Sequence, residues 1–347
     1  RSVTLREALL RPLAPDGGIY MPVGIPTLPP AFFNNIGSMS FSDIAYVLAN
    51  TLFGQDLDSG KIRSIVNDAF NFDVPLRKVD SDIYSIELYH GPTLSFKDFG
   101  ARFLASAERH VSKKGMPLNL IVATAGDSGG AMANAFCDIP GVSVYVVFPL
   151  HKMSRLQEAQ FATLGGNVHA LGVNGTFDDC QSMVKAMLAD DSLSERLTLV
   201  SGNSLSVGRM LAQTFYYFAA YAALPRKVRE SGRVVLSVPS GNLGNLTAAV
   251  IACRMGLPVN RLIAVNNTND IFIKYLQTGV FTPRRSVRTI ASSMDVGAPS
   301  NFERLLWLYG GSHERMSAEI SGVSYTDREI AETMIAERSR SGYQLDP

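Results

Sequence analysis

This sequence of 347 residues contains few cysteines and histidines, and its net charge is close to zero. The three cysteines are widely spaced with no CxxC pair, which argues against a disulfide framework or a zinc ribbon and favours reduced thiols in a cytoplasmic protein. The five histidines include no pair at metal-ligand spacing, so we expect no metal site. With 32 basic and 31 acidic residues the net charge is only +1, which gives no support for binding to nucleic acid or to a membrane surface.

Long hydrophobic runs and internal repeats are also missing. The longest apolar run, at 215–224, is about half of a membrane span, so we expect no transmembrane helix. At 46% apolar and 18% charged residues, the chain has the composition of a folded globular protein. Its length corresponds to about two domains of the usual size.

Proline and glycine interrupt the first 80 residues, which we predict to form an irregular N-terminal cap. Within this cap, Ser42 and Ser59 each precede a helical pattern. From about residue 84, short apolar runs alternate with longer amphipathic stretches. That alternation is typical of parallel sheets in an α/β protein, where ligands bind at the carboxyl ends of the strands.

The boundaries of these segments follow from the change in apolar pattern. The predicted strands are 84–88, 120–124, 142–148, 168–171, 197–200, 234–238 and 262–265. The predicted helices are 98–113, 128–138, 155–164, 178–190, 206–223, 244–256 and 270–278.

The letters Gly-Asp-Ser-Gly-Gly at 126–130 match those around the nucleophile of chymotrypsin-like serine proteases. The context contradicts a protease, because the motif lies between a predicted strand and a predicted helix, whereas those enzymes are all-β and need a histidine held by an aspartate. We instead expect backbone N–H groups of this loop to bind an anion, with Ser128 capping the helix that follows.

Three further motifs could bind charged groups. Residues 237–245 join a predicted strand to a helix with small residues, which is typical of a phosphate loop but also of a tight turn without a ligand. Residues 201–209 suit a second phosphate through Arg209, or else a capped helix with a surface arginine. Lys97 lies close to two phenylalanines; alone it could be a solvated lysine, but a desolvated amine forms Schiff bases. Together these parts are what pyridoxal phosphate needs.

At these motifs the chain resembles the threonine synthases, pyridoxal-phosphate enzymes of the tryptophan-synthase-β fold, and most of all their bacterial and fungal branch. The resemblance covers almost the whole chain. The matching segments are 13–20, 90–100, 124–129, 163–168, 175–180, 203–209, 238–245, 294–304 and 342–343.

The resemblance implies a fold of type II, with two open α/β domains and an N-terminal cap. It implies a cap at 1–80, a small domain at 101–221 and a large cofactor-binding domain from 81–100 and 222–347, with the active site between the two α/β domains. The family also continues for several tens of residues beyond this point and carries there a serine or threonine for the pyridine nitrogen. No candidate for that residue is found here, so either the sequence or the site is incomplete, and we expect the C-terminal part of the large domain to be missing from this sequence.

Residue roles are implied in the same way. Lys97 matches the lysine that forms the internal aldimine, and Asp127 matches the residue beside the cofactor ring. The residues implied for the cofactor phosphate loop are Ser240, Gly241, Asn242, Leu243, Gly244 and Asn245. The residues implied for the substrate are His90, Thr93, Thr124, Ala125, Gly126, Ser128, Lys152, Arg155, Asn203, Ser204 and Arg209. In the family, threonine is common at the position of Ser128 and phenylalanine at that of Leu243.

The implied activity is the conversion of O-phospho-L-homoserine and water to L-threonine and phosphate. One alternative is a related phospholyase, which would release a 2-oxo acid, ammonia and phosphate. Another is a catalytically silent homologue that acts as a binding or scaffold protein. The family branch implies a monomer, with no nucleic acid or membrane as partner.

Overall fold

A computed structural model of the chain describes residues 2–11, 13–14, 16–112 and 117–347. The chain forms two compact units. The first unit contains Arg1–Gly24, Ser40–Asp73 and Leu88–Gln213, and the second contains Ile25–Met39, Val74–Glu87 and Thr214–Pro347. The predicted division into a cap and two domains stays a prediction. Pro15, in the first family motif, and residue 113, at the end of a predicted helix, lie outside the described residues.

Helices and strands alternate through most of the chain, as predicted from residue 84 onward. The helices are α1 (Leu5–Leu10), α2 (Pro30–Asn35), α3 (Phe41–Phe53), α4 (Ser59–Ala69), α5 (Lys97–Val111), α6 (Asp127–Phe136), α7 (Arg155–Ala162), α8 (Phe177–Ala189), α9 (Asp191–Arg196), α10 (Val207–Ala212), α11 (Thr214–Ala223), α12 (Arg226–Arg229), α13 (Gly244–Arg254), α14 (Ile271–Thr278), α15 (Phe302–Leu308), α16 (His313–Glu319) and α17 (Asp327–Ser341). The strands are β1 (Leu76–Lys78), β2 (Tyr84–Ile86), β3 (Leu118–Ala123), β4 (Val142–Pro149), β5 (Val168–Val173), β6 (Thr198–Ser201), β7 (Val235–Pro239), β8 (Arg261–Asn266) and β9 (Ile320–Ser324).

The first unit is built on a parallel sheet of four strands in the order β5–β4–β3–β6. Strand β3 is buried along its whole length. Because successive side chains of a strand point to opposite faces, both faces of β3 must be covered. On one of them, Cys180 and Val184 of α8 pack with Ile121 and Val147. The carboxyl ends of β3, β4 and β6 share one edge of the sheet, so the loops that follow them lie near each other.

Aromatic side chains hold α5 against α3 and α4. Phe99 and Phe103 of α5 lie with their ring centroids 5.9 and 6.1 Å from that of Phe70, and Phe41 lies 6.0 Å from Phe99. Such rings bury large apolar areas and favour edge or offset contacts. Helix α5 is therefore firmly packed in the first unit, and Lys97 is its first residue.

The second unit contains a parallel sheet in the order β7–β8–β9. Helix α13 follows β7, and its side chains from Leu246 to Ala252 are all buried. Strand β9 was not predicted, because its segment has only Ile320 and Val323 as large apolar residues. The strand predicted at 84–88 exists as β2 but pairs antiparallel with β1 in a separate hairpin. The prediction that it joins a parallel sheet is wrong, because β1 lies only a short turn upstream.

Several helix boundaries also differ from the predictions. Ser40 and Asp58, rather than Ser42 and Ser59, cap α3 and α4 by accepting hydrogen bonds from backbone N–H groups. The helix predicted at 206–223 is divided into α10 and α11 at Gln213, where the first unit ends. Among the described residues there is no helix that is long and apolar enough to cross a membrane.

Candidate active site

Lys97 carries a largely buried amine in the first unit. It begins α5, its side chain is 16% exposed, and its Nζ lies 3.4 Å from Oδ2 of Asp127. The Nζ atom also lies 5.7 Å from the ring centroid of Phe96. The sequence alone could also be interpreted as a solvated lysine at a helix start. The low exposure of this side chain contradicts that interpretation. A half-buried amine with one carboxylate partner can bind covalently and exchange a proton.

The loop before Lys97 is held in place by the residue after it. Asp98 is fully buried and accepts hydrogen bonds from the N–H (2.9 Å) and Oγ1 (2.6 Å) of Thr93. Burial raises the pKa of Asp98, and the hydrogen bonds from Thr93 partly offset this effect. Gly91 fits here because a Cβ would lie 2.5 Å from Asp98 Oδ2. Leu94 adopts a left-handed φ of 57°, a strained conformation that is common at functional sites.

The loop from β3 to α6 is organised by Thr124. Its Oγ1 accepts hydrogen bonds from the N–H groups of Gly126 (3.0 Å) and Gly129 (2.9 Å) and donates to Gly126 O. Two N–H groups expected to bind an anion are therefore engaged within the protein. The expected capping by Ser128 is wrong, because Gly126 is the N-cap of α6 and has no side chain for this purpose. Ala125 is exposed at the tip of the loop.

Two glutamines of α7 complete this region, and sequence analysis missed both. Gln157 Nε2 donates to Asp127 Oδ1 at 2.9 Å, and Gln160 Nε2 donates to Thr93 O at 3.0 Å. The glycines of the 126–130 motif make room for them. A Cβ at position 126 would lie 2.8 Å from Gln157 Nε2, and one at position 130 would lie 2.6 Å from Gln160 Oε1. A Ser-x-x-Gln capping box at Ser154 was the available sign of this helix.

The segment after β6 contains a buried cation. Arg209 is 4% exposed, and its guanidinium donates to Gly202 O, whereas its Nε has no hydrogen-bond partner within the described part of the chain. Burial lowers the pKa of Arg209 to about 10. Asn203 accepts a hydrogen bond from Ala123 N–H and so ties this segment to the end of β3. The predicted alternative of a surface arginine does not hold. A buried cation without an acidic partner suits an anionic ligand.

The other predicted substrate residues of the first unit lie nearer to solvent. His90 is exposed and stacks on Tyr89, with ring centroids 4.9 Å apart. Lys152 and Arg155 are both exposed at the start of α7. Ser204 lies in the turn between β6 and α10. Lys152 and Ser204 lie on the loops that follow β4 and β6, at the edge of the sheet at which ligands bind in α/β folds, whereas His90 lies between β2 and α5.

The loop after β7 presents backbone N–H groups at the start of α13. Leu243 caps this helix with a left-handed φ of 61°, and a Cβ at Gly241 would lie 2.8 Å from Met294 Cα. Among the described residues, no acceptor lies at the N–H groups of Gly241, Leu243, Gly244 or Asn245. The helix dipole adds partial positive charge at this end. The loop is therefore suited to hold a phosphate group.

The polar side chains of this loop brace it. Ser240 donates its hydroxyl to the backbone of β7, and Asn245 Nδ2 donates to Pro239 O. Asn242 Oδ1 accepts hydrogen bonds from the N–H (2.6 Å) and Oγ (2.9 Å) of Ser300. Backbone amides, rather than these side chains, are thus the groups available for a ligand.

A carboxylate fixes the neighbouring segment of the second unit. Asp295 Oδ1 accepts hydrogen bonds from Asn267 (2.8 Å), Asn269 (3.1 Å) and Thr289 (2.7 Å). In a separate contact, Asn301 of the same motif donates to the backbone carbonyl of residue 242, in the loop after β7, at 3.0 Å. The matching motif at 294–304 is explained by this bracing, which the sequence alone did not reveal.

Two family models match the chain. The one described as "Pyridoxal-phosphate dependent enzyme" matches residues 74–347, and the one described as "Threonine synthase N terminus" matches residues 1–70. Threonine synthase from Haemophilus influenzae is 39% identical over 348 residues, which cover 99% of this chain and 80% of that protein.

Solved structures are similar as well. The crystal structure of threonine synthase from Escherichia coli has a TM-score of 0.93 at 36% identity, over 99% of this chain and 79% of that one. The pyridoxal-phosphate-bound threonine synthase from Brucella melitensis has a TM-score of 0.91 at 33% identity, over 99% of this chain and 80% of that one.

These similarities place the chain in the class of fold type II lyases, which use pyridoxal phosphate as cofactor. The predicted fold class and cofactor are confirmed. More particularly, the chain belongs to the threonine synthase family. The resemblance drawn from the motifs is thereby confirmed, and the serine-protease interpretation of 126–130 is not supported.

The residues present fit pyridoxal phosphate. The first unit offers a half-buried lysine amine beside a carboxylate, and the second offers a cluster of backbone N–H groups at a helix start, in a loop too crowded for a side chain at position 241. An aldehyde and a phosphate are the groups that such donors bind. Among the described residues, no group of three or more His, Cys, Asp or Glu side chains is placed to hold a metal ion.

Proposed function

We propose that this protein converts O-phospho-L-homoserine and water into L-threonine and inorganic phosphate. The observation that carries the proposal is the half-buried Lys97 amine, 3.4 Å from Asp127, in a chain of the threonine synthase family. Removal of a proton from a carbon atom next to an amino group needs a base held close to a group that can balance its charge.

Lys97 would hold the cofactor through its amine, and the N–H groups of Gly241, Leu243, Gly244 and Asn245 would hold its phosphate. The bound cofactor supplies a conjugated ring that delocalises negative charge from the α-carbon of the substrate. The neutral Lys97 amine is the base that removes the α-proton. Asp127 accepts a hydrogen bond from the ammonium that results, so that this pair can take up a proton and release it again.

The phosphate of the substrate requires donors separate from those of the cofactor, because two dianions repel each other. We propose Arg209 as its main partner, with Asn203 and Ser204 beside it and the exposed Lys152 and Arg155 in support. Arg209 is buried, and its Nε lacks a protein acceptor within the described part of the chain. A phosphate would offset the cost of burying this charge.

The carboxylate of the substrate is proposed to bind at the loop after β3. Ser128 is half-buried and carries a hydroxyl donor, and Thr124, Ala125 and Gly126 shape the loop around it. His90 and Thr93 would line the approach to Lys97. We propose that the protein acts as a monomer in the cytoplasm, which the free thiols of its cysteines support.

The proposal is tested by incubating purified protein with O-phospho-L-homoserine and identifying the products by mass spectrometry. L-Threonine with an equal amount of phosphate is the expected result. 2-Oxobutyrate with phosphate and ammonia would instead indicate the phospholyase, and absence of any product would contradict both.

Lys97→Ala should abolish both turnover and the visible absorbance of the lysine-linked cofactor. Lys185→Ala is a matched control, because this lysine is exposed on α8. Normal turnover in Lys97→Ala would refute the role given to Lys97.

A further inference from the structure

A buried asparagine holds one carbonyl group of the loop after β7. Asn301 is fully buried, and its Nδ2 donates to the backbone carbonyl of Asn242 at 3.0 Å. The peptide between Asn242 and Leu243 is trans, so its N–H points to the side opposite its carbonyl. Among the described residues, no acceptor lies at the N–H of Leu243. We propose that Asn301 is a positioning residue that keeps this N–H turned toward the phosphate of the cofactor.

The inference rests on the proposed function only for the phosphate role of this loop, and not for the reaction. Asn301 and the loop both belong to the second unit, so the argument concerns contacts within that unit alone.

Arg304 fixes the orientation of the Asn301 amide. Its guanidinium donates to Asn301 Oδ1, and both side chains are fully buried. A guanidinium offers donors and no acceptor, so the amide has to present its oxygen to Arg304. The NH₂ group then faces the other way, toward the carbonyl of residue 242. Reversing the amide would place N–H groups against the guanidinium, and the donor to the loop is therefore well determined.

Leu243 needs such a contact because its own backbone preference opposes this arrangement. It has a left-handed φ of 61°, which side chains other than glycine rarely adopt. Rotation of the preceding peptide by half a turn would bring φ to about −120°, an extended conformation open to any residue. The same rotation would exchange the N–H at the start of α13 for a carbonyl oxygen, which repels a phosphate. The hydrogen bond from Asn301 opposes this rotation.

Other contacts hold the rest of the loop. Asn266, the last residue of β8, donates from Nδ2 to the backbone carbonyl of Ser240 at 2.7 Å, and so orients the peptide before Gly241 in the same manner. Ser300 donates its N–H and its hydroxyl to the side chain of Asn242. A change at Asn301 leaves these donors in place. We therefore expect it to weaken phosphate binding without abolishing it.

Pyridoxal, which lacks the phosphate, separates an effect on this loop from effects elsewhere. The full chain, freed of cofactor, is titrated with pyridoxal phosphate and with pyridoxal, and binding is followed by the absorbance of the lysine-linked compound. Asn301→Ala should weaken the binding of pyridoxal phosphate about tenfold, which corresponds to one hydrogen bond to a charged group. The affinity for pyridoxal should change less than about twofold, because that compound has no group for the loop.

Asn260→Ala is the matched control. Asn260 also donates from Nδ2 to a backbone carbonyl of the second unit, that of Gly232, at 3.3 Å. It lies just before β8, at the end of the strand opposite to Asn266. Both affinities of this variant should stay within about twofold of those of the wild type.

Glycine at position 243 distinguishes control of the peptide orientation from a merely structural role. Glycine adopts a positive φ without steric cost, so Leu243→Gly removes the preference for the rotated peptide. Its effect on the affinity for pyridoxal phosphate should therefore be more favourable in the Asn301→Ala background than in the wild type, by at least about threefold. The space left by the leucine side chain is common to both backgrounds and cancels in this comparison.

Two results would overturn the proposal. One is an equal loss of affinity for pyridoxal phosphate and pyridoxal, or no loss, in Asn301→Ala. The other is an equal effect of Leu243→Gly in both backgrounds. If Asn301→Ala does not fold, as judged by circular dichroism, Asn301→Asp carries the same comparison with Leu243→Gly. Its carboxylate keeps the contact to Arg304 and loses the donor, and the repulsion between its charge and the phosphate cancels between the two residues at position 243.

A wild type that binds pyridoxal as tightly as pyridoxal phosphate would overturn the phosphate role of the loop and this proposal with it. None of these titrations measures turnover, whereas the product assay measures nothing else. The proposed reaction and this inference can therefore fail separately.

Discussion

Replacement of Glu108 should stabilise this protein by an amount that depends on pH. Glu108 lies on α5 about three turns after Lys97, and the residue is 2% exposed. Neither of its carboxylate oxygens has a hydrogen-bond partner among the described residues. Burial raises its pKa well above the usual value of 4.5, so that the folded protein favours the neutral acid.

The sign and size of the effect follow from this direction. When folding raises the pKa of a carboxyl group, the group stabilises the folded protein most at a pH below its pKa in the unfolded chain, which is 4.5 here. This contribution to the free energy of unfolding is lost as the pH rises toward the pKa in the folded protein. The loss is about 1.4 kcal/mol per pH unit. Glu108→Gln keeps the shape and removes the titration. Its free energy of unfolding, relative to wild type, should therefore grow by about 1.4 kcal/mol for each pH unit above 5.5, up to the folded pKa.

Urea unfolding followed by circular dichroism measures this difference at half-unit steps from pH 5.5 to 8. Glu195→Gln, at an exposed position of α9, is the matched control for loss of a carboxyl group that is not buried. A difference between wild type and Glu108→Gln that stays constant with pH would refute the reasoning, because the carboxyl would then titrate equally in the folded and unfolded chains.

Two further substitutions test the proposed anion sites. Gly241→Ala should weaken pyridoxal-phosphate binding about tenfold or more in a titration of cofactor-free protein, because its Cβ would lie 2.8 Å from a backbone atom of Met294. Gly24→Ala, where no atom lies within 4 Å, is its control, and equal affinities would contradict the phosphate assignment. With the cofactor bound, inorganic phosphate should raise the Tm of the wild type, and Arg209→Met should abolish that rise. Its Tm without phosphate should be unchanged or higher, because an incompletely bonded buried cation costs about as much as it contributes. A retained phosphate effect would rule out Arg209.

A strand covered on both faces needs a continuous apolar run, and β3, which is buried along its whole length, has such a run. Strands β4 and β7 were predictable from similar runs, although β4 is buried mainly in its second half and Val235 of β7 is exposed. Strand β9 could not be found in this way, because its position beside β8 compensates for a weak local pattern. The pairing of β2 with β1 likewise depends on which segment lies near in space, and a local pattern carries no such information.

In the candidate site, too, some features follow from local sequence patterns and others depend on contacts between distant segments. Lys97 and the loop at 241–245 could be proposed as site residues from the sequence, because an amine near aromatic rings and a glycine-rich turn before a helix are local patterns with few chemical uses. Gln157 has no such pattern. Its contact to Asp127 spans 30 residues of sequence, and that of Gln160 to Thr93 spans 67. The glycines at 126 and 130 indicated close approach, but only the structure shows that the approaching groups are these amides.

The sequence by itself determined the α/β class, the positions of most strands, the family and its cofactor, because each depends on residue types at short spacing. The tertiary structure alone decided which carboxylate meets the Lys97 amine, that Arg209 is buried, and that Thr124 uses two of the N–H groups expected to bind an anion. The physical reason is that hydrogen bonding and desolvation depend on distances between segments far apart in the chain, which packing sets and local composition does not.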